Sequence, residues 1–119
     1  VVGNASWAVG GYDGAMALMQ RAERPTALFC FNDRMAMGAY DALRKLGLSI
    51  PQDVAVVGYD NQEIIAAYLR PGLTTLELPH YEMGRCAVDY LMHMTTSPAA
   101  EGDPPQFLLD CPLIERQSA

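Results

Sequence analysis

Two apolar runs in this chain end abruptly on amide or carboxylate side chains, and those endings are its best-placed chemistry. The first, Pro25-Thr26-Ala27-Leu28-Phe29-Cys30-Phe31, stops at Asn32-Asp33. The second, Val54-Ala55-Val56-Val57, passes through Gly58-Tyr59 to Asp60-Asn61. Helix-like sequence follows each break. In an open parallel sheet the carboxyl ends of the strands form the edge where ligands bind. Asn32 and Asp60 would then face one crevice, an amide beside a carboxylate, suited to a small polar molecule. A single Asx residue after a strand is more often a helix cap and nothing more. Two of them at the ends of neighbouring strands turn the balance toward a site.

Trp7, the only tryptophan, follows the polar stretch Gly3-Asn4-Ala5-Ser6. It fits a core position and a sugar-stacking loop about equally well. Carbohydrate sites join flat aromatic faces, which cover C–H surfaces, to carboxylates and amides that pair with vicinal hydroxyls.

Other chemistries lack their residues. Gly10, Gly11 and Gly14 are not followed by the Gly-Lys-Ser/Thr of a phosphate loop, and the only lysine is Lys45. His80 and His93 have no carboxylate or cysteine at ligand spacing, so no shared metal site is expected. No Gly-x-Ser-x-Gly elbow occurs, and Asp60 alone is not an acid–base pair. Neither enzymatic activity nor a cofactor is expected. Cys30, Cys86 and Cys111 are odd in number and show no Cys-x-x-Cys spacing, so they read as reduced, packed thiols of a cytosolic protein, with a redox or metal role the lesser alternative.

The elements that must carry these residues follow from pattern. Tyr12, Met16, Met19 and Ala22 recur on one helical face, which Arg24-Pro25 ends. A buried strand over 27–31 leads into a helix over 33–45, with Met35, Ala39, Leu43 and Leu46 as its core stripe. Gly47 is placed as the C′ glycine and Leu48 as its hydrophobic companion in a Schellman end. A strand over 54–57, a short helix over 61–69, an extended segment over 73–78 and a strong helix over 81–94 come next. A polar loop over 95–105 precedes a last extended piece over 107–115. Strands alternating with helices predict an α/β fold with a parallel sheet and helices on both of its faces. The helix over 33–45 also carries Met37, Tyr40, Asp41 and Arg44 away from its expected core stripe. A Met–Tyr pair there, without an internal partner, points to a second copy of the chain as its cover.

At 119 residues and a net charge of −6, with only eight basic residues, the chain has one domain's length and no clustered cation for a phosphate backbone. Its apolar stretches fall far short of the roughly 20 residues of a membrane span. No secretory leader is evident, although the sequence opens on Val1 rather than Met.

Taken together the motifs carry a resemblance. Arg24 to Ala39 (Arg-Pro-Thr-Ala-Leu-Phe-Cys-Phe-Asn-Asp-Arg-Met-Ala-Met-Gly-Ala) closely resembles the core signature of the LacI/GalR family of bacterial transcription repressors. Gly47-Leu48, Ile50-Pro51, the string from Asp53 to Asn61, that from Arg70 to Pro79, Met83-Gly84 and Leu113-Ile114-Glu115-Arg116 follow in the family's order. The resemblance implies the C-terminal part of a periplasmic-binding-protein-like effector domain, two α/β subdomains closing on a small molecule, often a sugar or nucleobase. It implies residues 1–75 and 106–119 in the C-terminal subdomain, with 76–105 crossing into the N-terminal one. Asn32 and Asp60 fall on effector-contacting positions, and Trp7 lies within one residue of an aromatic contact. Met37 and Tyr40 match positions that pack across a homodimer. Leu78 departs from a frequent polar residue, and the stretch between Asp60 and Leu73 is one residue longer than in the best-known members. Operator DNA would be bound by a helix-turn-helix outside this segment, in the cytoplasm. The rival reading is the sugar-binding component of an ABC-type importer, which shares the fold; the Asn-Asp-x-Met-Ala-x-Gly string and the Leu-Ile-x-Arg ending favour the repressor.

Overall fold

Short β-branched and apolar runs alternate with helices rich in alanine and glycine, and the chain winds them into one small sheet with a helical layer against it. The computed structural model describes residues 7–96 and 106–119. In chain order the elements are α1 (Ala8–Met19), β1 (Ala27–Phe29), α2 (Asp33–Lys45), β2 (Ala55–Asp60), α3 (Glu63–Ala66), β3 (Thr74–Glu77), α4 (His80–Thr96) and β4 (Leu113–Ile114). Residues 3–6, the polar lead-in to Trp7, and most of the loop expected over 95–105 lie outside the described residues.

The sheet runs β1-β2-β3-β4. The β1–β2 and β2–β3 pairings are parallel, and β4 closes the edge antiparallel to β3. The α/β class and the parallel core of the sheet are as the alternation predicts. The expected extended piece over 107–115 contributes only Leu113–Ile114 to the ladder.

α1 and α2 pack together at unusually short range. A Cβ on Gly11 would run into the backbone carbonyl of Met35, and one on Gly38 into that of Ala8. Only glycine allows that approach. Below this layer Ala36, Ala39, Tyr40 and Leu43 of α2 meet Leu28, Cys30, Val54 and Val56 of the sheet. Burying Leu43, Val56 or Leu73 contributes roughly 1.5–3 kcal/mol apiece. α2 ends as its sequence requires: Gly47 takes φ 71°, Leu48 N–H donates to Leu43 O at 3.0 Å and Gly47 N–H to Arg44 O at 3.1 Å. This pair of bonds is the Schellman motif.

Three details depart from the sequence reading. Phe29 and Phe31 are exposed, because alternate residues of β1 face opposite sides and only the Leu28–Cys30 side meets the helices. Leu46, expected in the core stripe, is the half-exposed C-cap of α2. Tyr40, expected on the outer face, is in the core at 1% exposure, and its hydroxyl donates to Pro71 O at 3.1 Å.

The chain divides into two compact units, one formed by Val1–Glu77 with Pro112–Ala119 and the other by Leu78–Cys111. The second unit is α4 with its flanking segments. Within it Tyr90 and Phe107 meet edge to face, with ring centroids 6.0 Å apart.

Candidate functional site

The site residues singled out by sequence all belong to the first unit, at or beside the starts of α1, α2 and α3. The β1 register pairs Phe29 with Val57, so the two polar breaks leave neighbouring parallel strands on the same, carboxyl, edge. Asn32 is the N-cap of α2: its Oδ1 accepts Met35 N–H at 2.9 Å. The capping role weighed for it is real, and it fixes the side chain at the strand's end. Asp60 ends β2, and its Oδ2 accepts from Gln62 Nε2 at 3.0 Å.

The turn that carries Asp60 is strained. Asp60 takes φ 110° and Asn61 φ 48°, values that non-glycine residues seldom adopt. Such backbone costs of order 1–3 kcal/mol per residue and persists only where its surroundings hold it.

Asp33 supplies the link between the two breaks. It is fully buried, Oδ2 accepts the backbone N–H of Gln62 at 2.7 Å, and Oδ1 accepts from Thr75 Oγ1 at 2.6 Å. Burial raises its pKa above the ordinary carboxylate range, while the bonds from Thr75 and Gln62 pull the other way; Asp60 adds a smaller upward push and Arg116 a smaller downward one. Gly58 leaves the space Asp33 occupies, since a Cβ there would collide with Oδ1. The same burial, with Asp33 nearby, pushes the Cys30 thiol up to about 12, so it stays a neutral packing group.

Arg116 reaches the turn from the C-terminal segment. Nη2 donates to Asn61 Oδ1 at 2.9 Å, Nη1 to Leu73 O at 2.8 Å, and its backbone N–H to Thr74 Oγ1 at 3.0 Å. Beside it Ser118, fully buried, accepts Thr74 N–H at 2.8 Å and donates to Val56 O.

Trp7 stands immediately before α1 with its ring largely exposed, and the Arg34 guanidinium lies 5.2 Å from the ring centroid. That cation–π contact ties Trp7 to the first turn of α2, next to Asn32 and Asp33. The Arg34 contact thus places Trp7 at the start of α2, and the Asp33–Gln62 bond joins that start to the turn that carries Asp60. The arrangement can offer stacking and paired hydrogen bonds. The supporting residues Asp33, Gln62, Thr75, Arg34 and Arg116 are not marked by sequence spacing, because their partners lie tens of residues away.

On the outer surface Met37 is 37% exposed, while α3, which packs beside α2, leaves Ile64 81% and Tyr68 in the turn after it 71% exposed. Tyr40, expected beside Met37 on the outer face, is buried instead.

Known proteins agree with this architecture. Residues 3–119 match the family described as the periplasmic binding protein-like domain. The ribose operon repressor of Escherichia coli K12 is 43% identical over 110 residues, covering 92% of this chain and 32% of the repressor. The chain therefore spans about a third of the length of that curated relative. A putative LacI-family transcriptional regulator from Sanguibacter keddieii superposes with a TM-score of 0.86 at 27% identity, over 98% of this chain and 42% of the other. A LacI-family regulator from Enterococcus faecium, crystallised with bound ribose, gives 0.77 at 32% identity, over 94% and 40%. The chain belongs to the periplasmic binding protein-like domain family, in the form that family takes in LacI-type transcription regulators.

Proposed function

We propose that this chain is the effector-sensing and dimerising part of a LacI-type transcription regulator, and that its effector is a small sugar. The observation that carries the reading is the Asp33–Gln62 hydrogen bond, which joins the two strand-end breaks and so sets Asn32 and the Asp60 turn side by side. In this reading the Asp60 carboxylate accepts from sugar hydroxyls, the Asn32 amide completes their pairing, and Trp7 covers a C–H face. The relatives support a sugar: one is a ribose operon repressor and another was crystallised with ribose.

Residues 1–75 and 106–119 would form the C-terminal subdomain, and 76–105 the part crossing into the N-terminal one. Effector binding would shift these subdomains and alter operator affinity through a helix-turn-helix outside this segment. A regulator acting on DNA works in the cytoplasm, and no described helix is long and apolar enough to cross a membrane. With a net charge of −6 this segment would not itself grip operator DNA. The homodimer would close over Met37 of the expected Met37–Tyr40 pair, and the exposed Ile64 and Tyr68 of the α3 segment would join the interface.

The test is calorimetric titration of the full-length protein with D-ribose, paired with operator mobility shifts at each sugar concentration. Micromolar binding that changes operator affinity is expected. A protein that binds sugar but has no operator would instead be an importer's binding component, and one that binds no pentose or hexose would reject the reading.

A further inference from the structure

The strained turn raises the question of what holds it. Asp60 and Asn61 both sit at positive φ without being glycine, a conformation that relaxes unless its neighbours determine it. Two segments far apart in sequence converge there. From the start of α2, the Asp33 carboxylate takes the Gln62 N–H, the first amide beyond the left-handed pair. From the C-terminal segment, Arg116 holds the Asn61 side chain.

Both groups are themselves anchored. Asp33 is fixed by Thr75 Oγ1 in a space kept open by Gly58. The guanidinium of Arg116 divides its donors between Leu73 O and Asn61 Oδ1. A guanidinium fork can serve two acceptors in one fixed plane, whereas an ammonium is a single point on a flexible stem. The brace therefore ties the β1–α2 break, the β2–α3 turn, β3 and the C-terminal segment into one hydrogen-bonded set, with Asp60 at its open side.

We infer that Asp33 and Arg116 are positioning residues for the effector site, bracing the left-handed Asp60–Asn61 turn from two separate segments so that the Asp60 carboxylate stays fixed. The inference rests on the reading that Asp60 contacts the effector. It adds that affinity depends on residues which need never touch the sugar, one of them three positions before the last residue of the segment.

The experiment uses full-length protein carrying Arg116→Lys or Asp33→Ala, each alone, and Arg116→Lys combined with Asn61→Gly. Amide hydrogen exchange, thermal midpoint and D-ribose affinity are measured on the same samples. Asp33→Ala is the harsher variant; Arg116→Lys keeps the charge and most of the volume, so the question survives if the first fails to fold. Expected is exchange about tenfold faster or more at Asn61 and Gln62, with Leu28 and Val56 at wild-type rates and ribose affinity down about tenfold. In the Asn61→Gly background Arg116→Lys should change turn exchange little, because glycine adopts that φ unaided. Wild-type exchange in the turn would overturn the brace. Equal acceleration throughout the core would reduce both residues to general stability, and a loosened turn with undiminished ribose affinity would overturn the positioning role. If the wild-type protein binds no ribose, the functional reading fails by itself, and turn exchange alone decides whether the brace stands.

Discussion

Gly38 presses so closely on the backbone of Ala8 that no side chain fits between them, and Gly11 stands in the same relation to Met35. The α1–α2 layer thus depends on two hydrogens where other residues carry carbon. Both neighbours are backbone carbonyls, which cannot rotate away.

Gly38→Ala should therefore destabilise despite alanine's better helix propensity. Propensity returns about 1 kcal/mol, whereas overpacking against backbone costs about 3 kcal/mol or more. Urea unfolding of the full-length protein is the measurement; a variant as stable as wild type would show that α1 can slide outward at little cost.

The buried Asp33 carboxyl predicts a pH dependence whose sign is set by its raised pKa. The native state holds this proton more tightly than the unfolded chain. Its contribution is complete below the ordinary carboxylate value of about 4 and is lost as pH rises through the raised native value. Asp33→Asn removes the titration and keeps an acceptor for Gln62 N–H. Urea midpoints measured from about pH 4 upward should show wild type losing ground to the variant. Parallel curves would mean that the bonds from Thr75 and Gln62 cancel the effect of burial.

Tyr40 and Tyr68 separate packing from association. Tyr40→Phe removes the hydroxyl's bond to Pro71 O and its interaction with Ser118, and should cost about 1–2 kcal/mol without changing the oligomer. Met37→Ala with Tyr68→Ala should weaken the homodimer by a few kcal/mol if they anchor it, with the fold retained. Sedimentation distinguishes these outcomes, and a full-strength dimer in the double variant would remove this surface from the interface.

Much of this architecture could be read from local pattern, and the exceptions have physical reasons. The Gly47 end of α2 and the alternation of strands with helices are local signals, and both hold. The face of α2 was rotated by about one residue, since the buried stripe is Ala36, Ala39, Tyr40 and Leu43. Small residues made the difference: Gly38 packs on the α1 backbone and Ala42 is fully buried, and a count of large apolar groups gives them no weight. Phe29 looked buried because a three-residue strand has too few positions to reveal its alternation. Asp33 reads locally as a capping residue. Its partners Gln62 and Thr75, and the matching reach of Arg116, exist only once three strands are assembled.

Asn32 offers the sharpest separation of a cap from a contact. Its side chain holds Met35 N–H, so Asn32→Ala should cost about 1 kcal/mol of stability whatever else the residue does. Aspartate caps equally well, so Asn32→Asp should unfold near the wild-type midpoint. It cannot donate the amide N–H that a sugar hydroxyl would accept, and it adds negative charge beside Asp33 and Asp60. If Asn32 contacts the effector, both variants should lose ribose affinity by about tenfold, the loss expected for one hydrogen bond and its unpaired partner. Affinity that falls only in the alanine variant, in step with its stability, would leave Asn32 as a helix cap and move the sugar's contacts to Asp60 and Trp7.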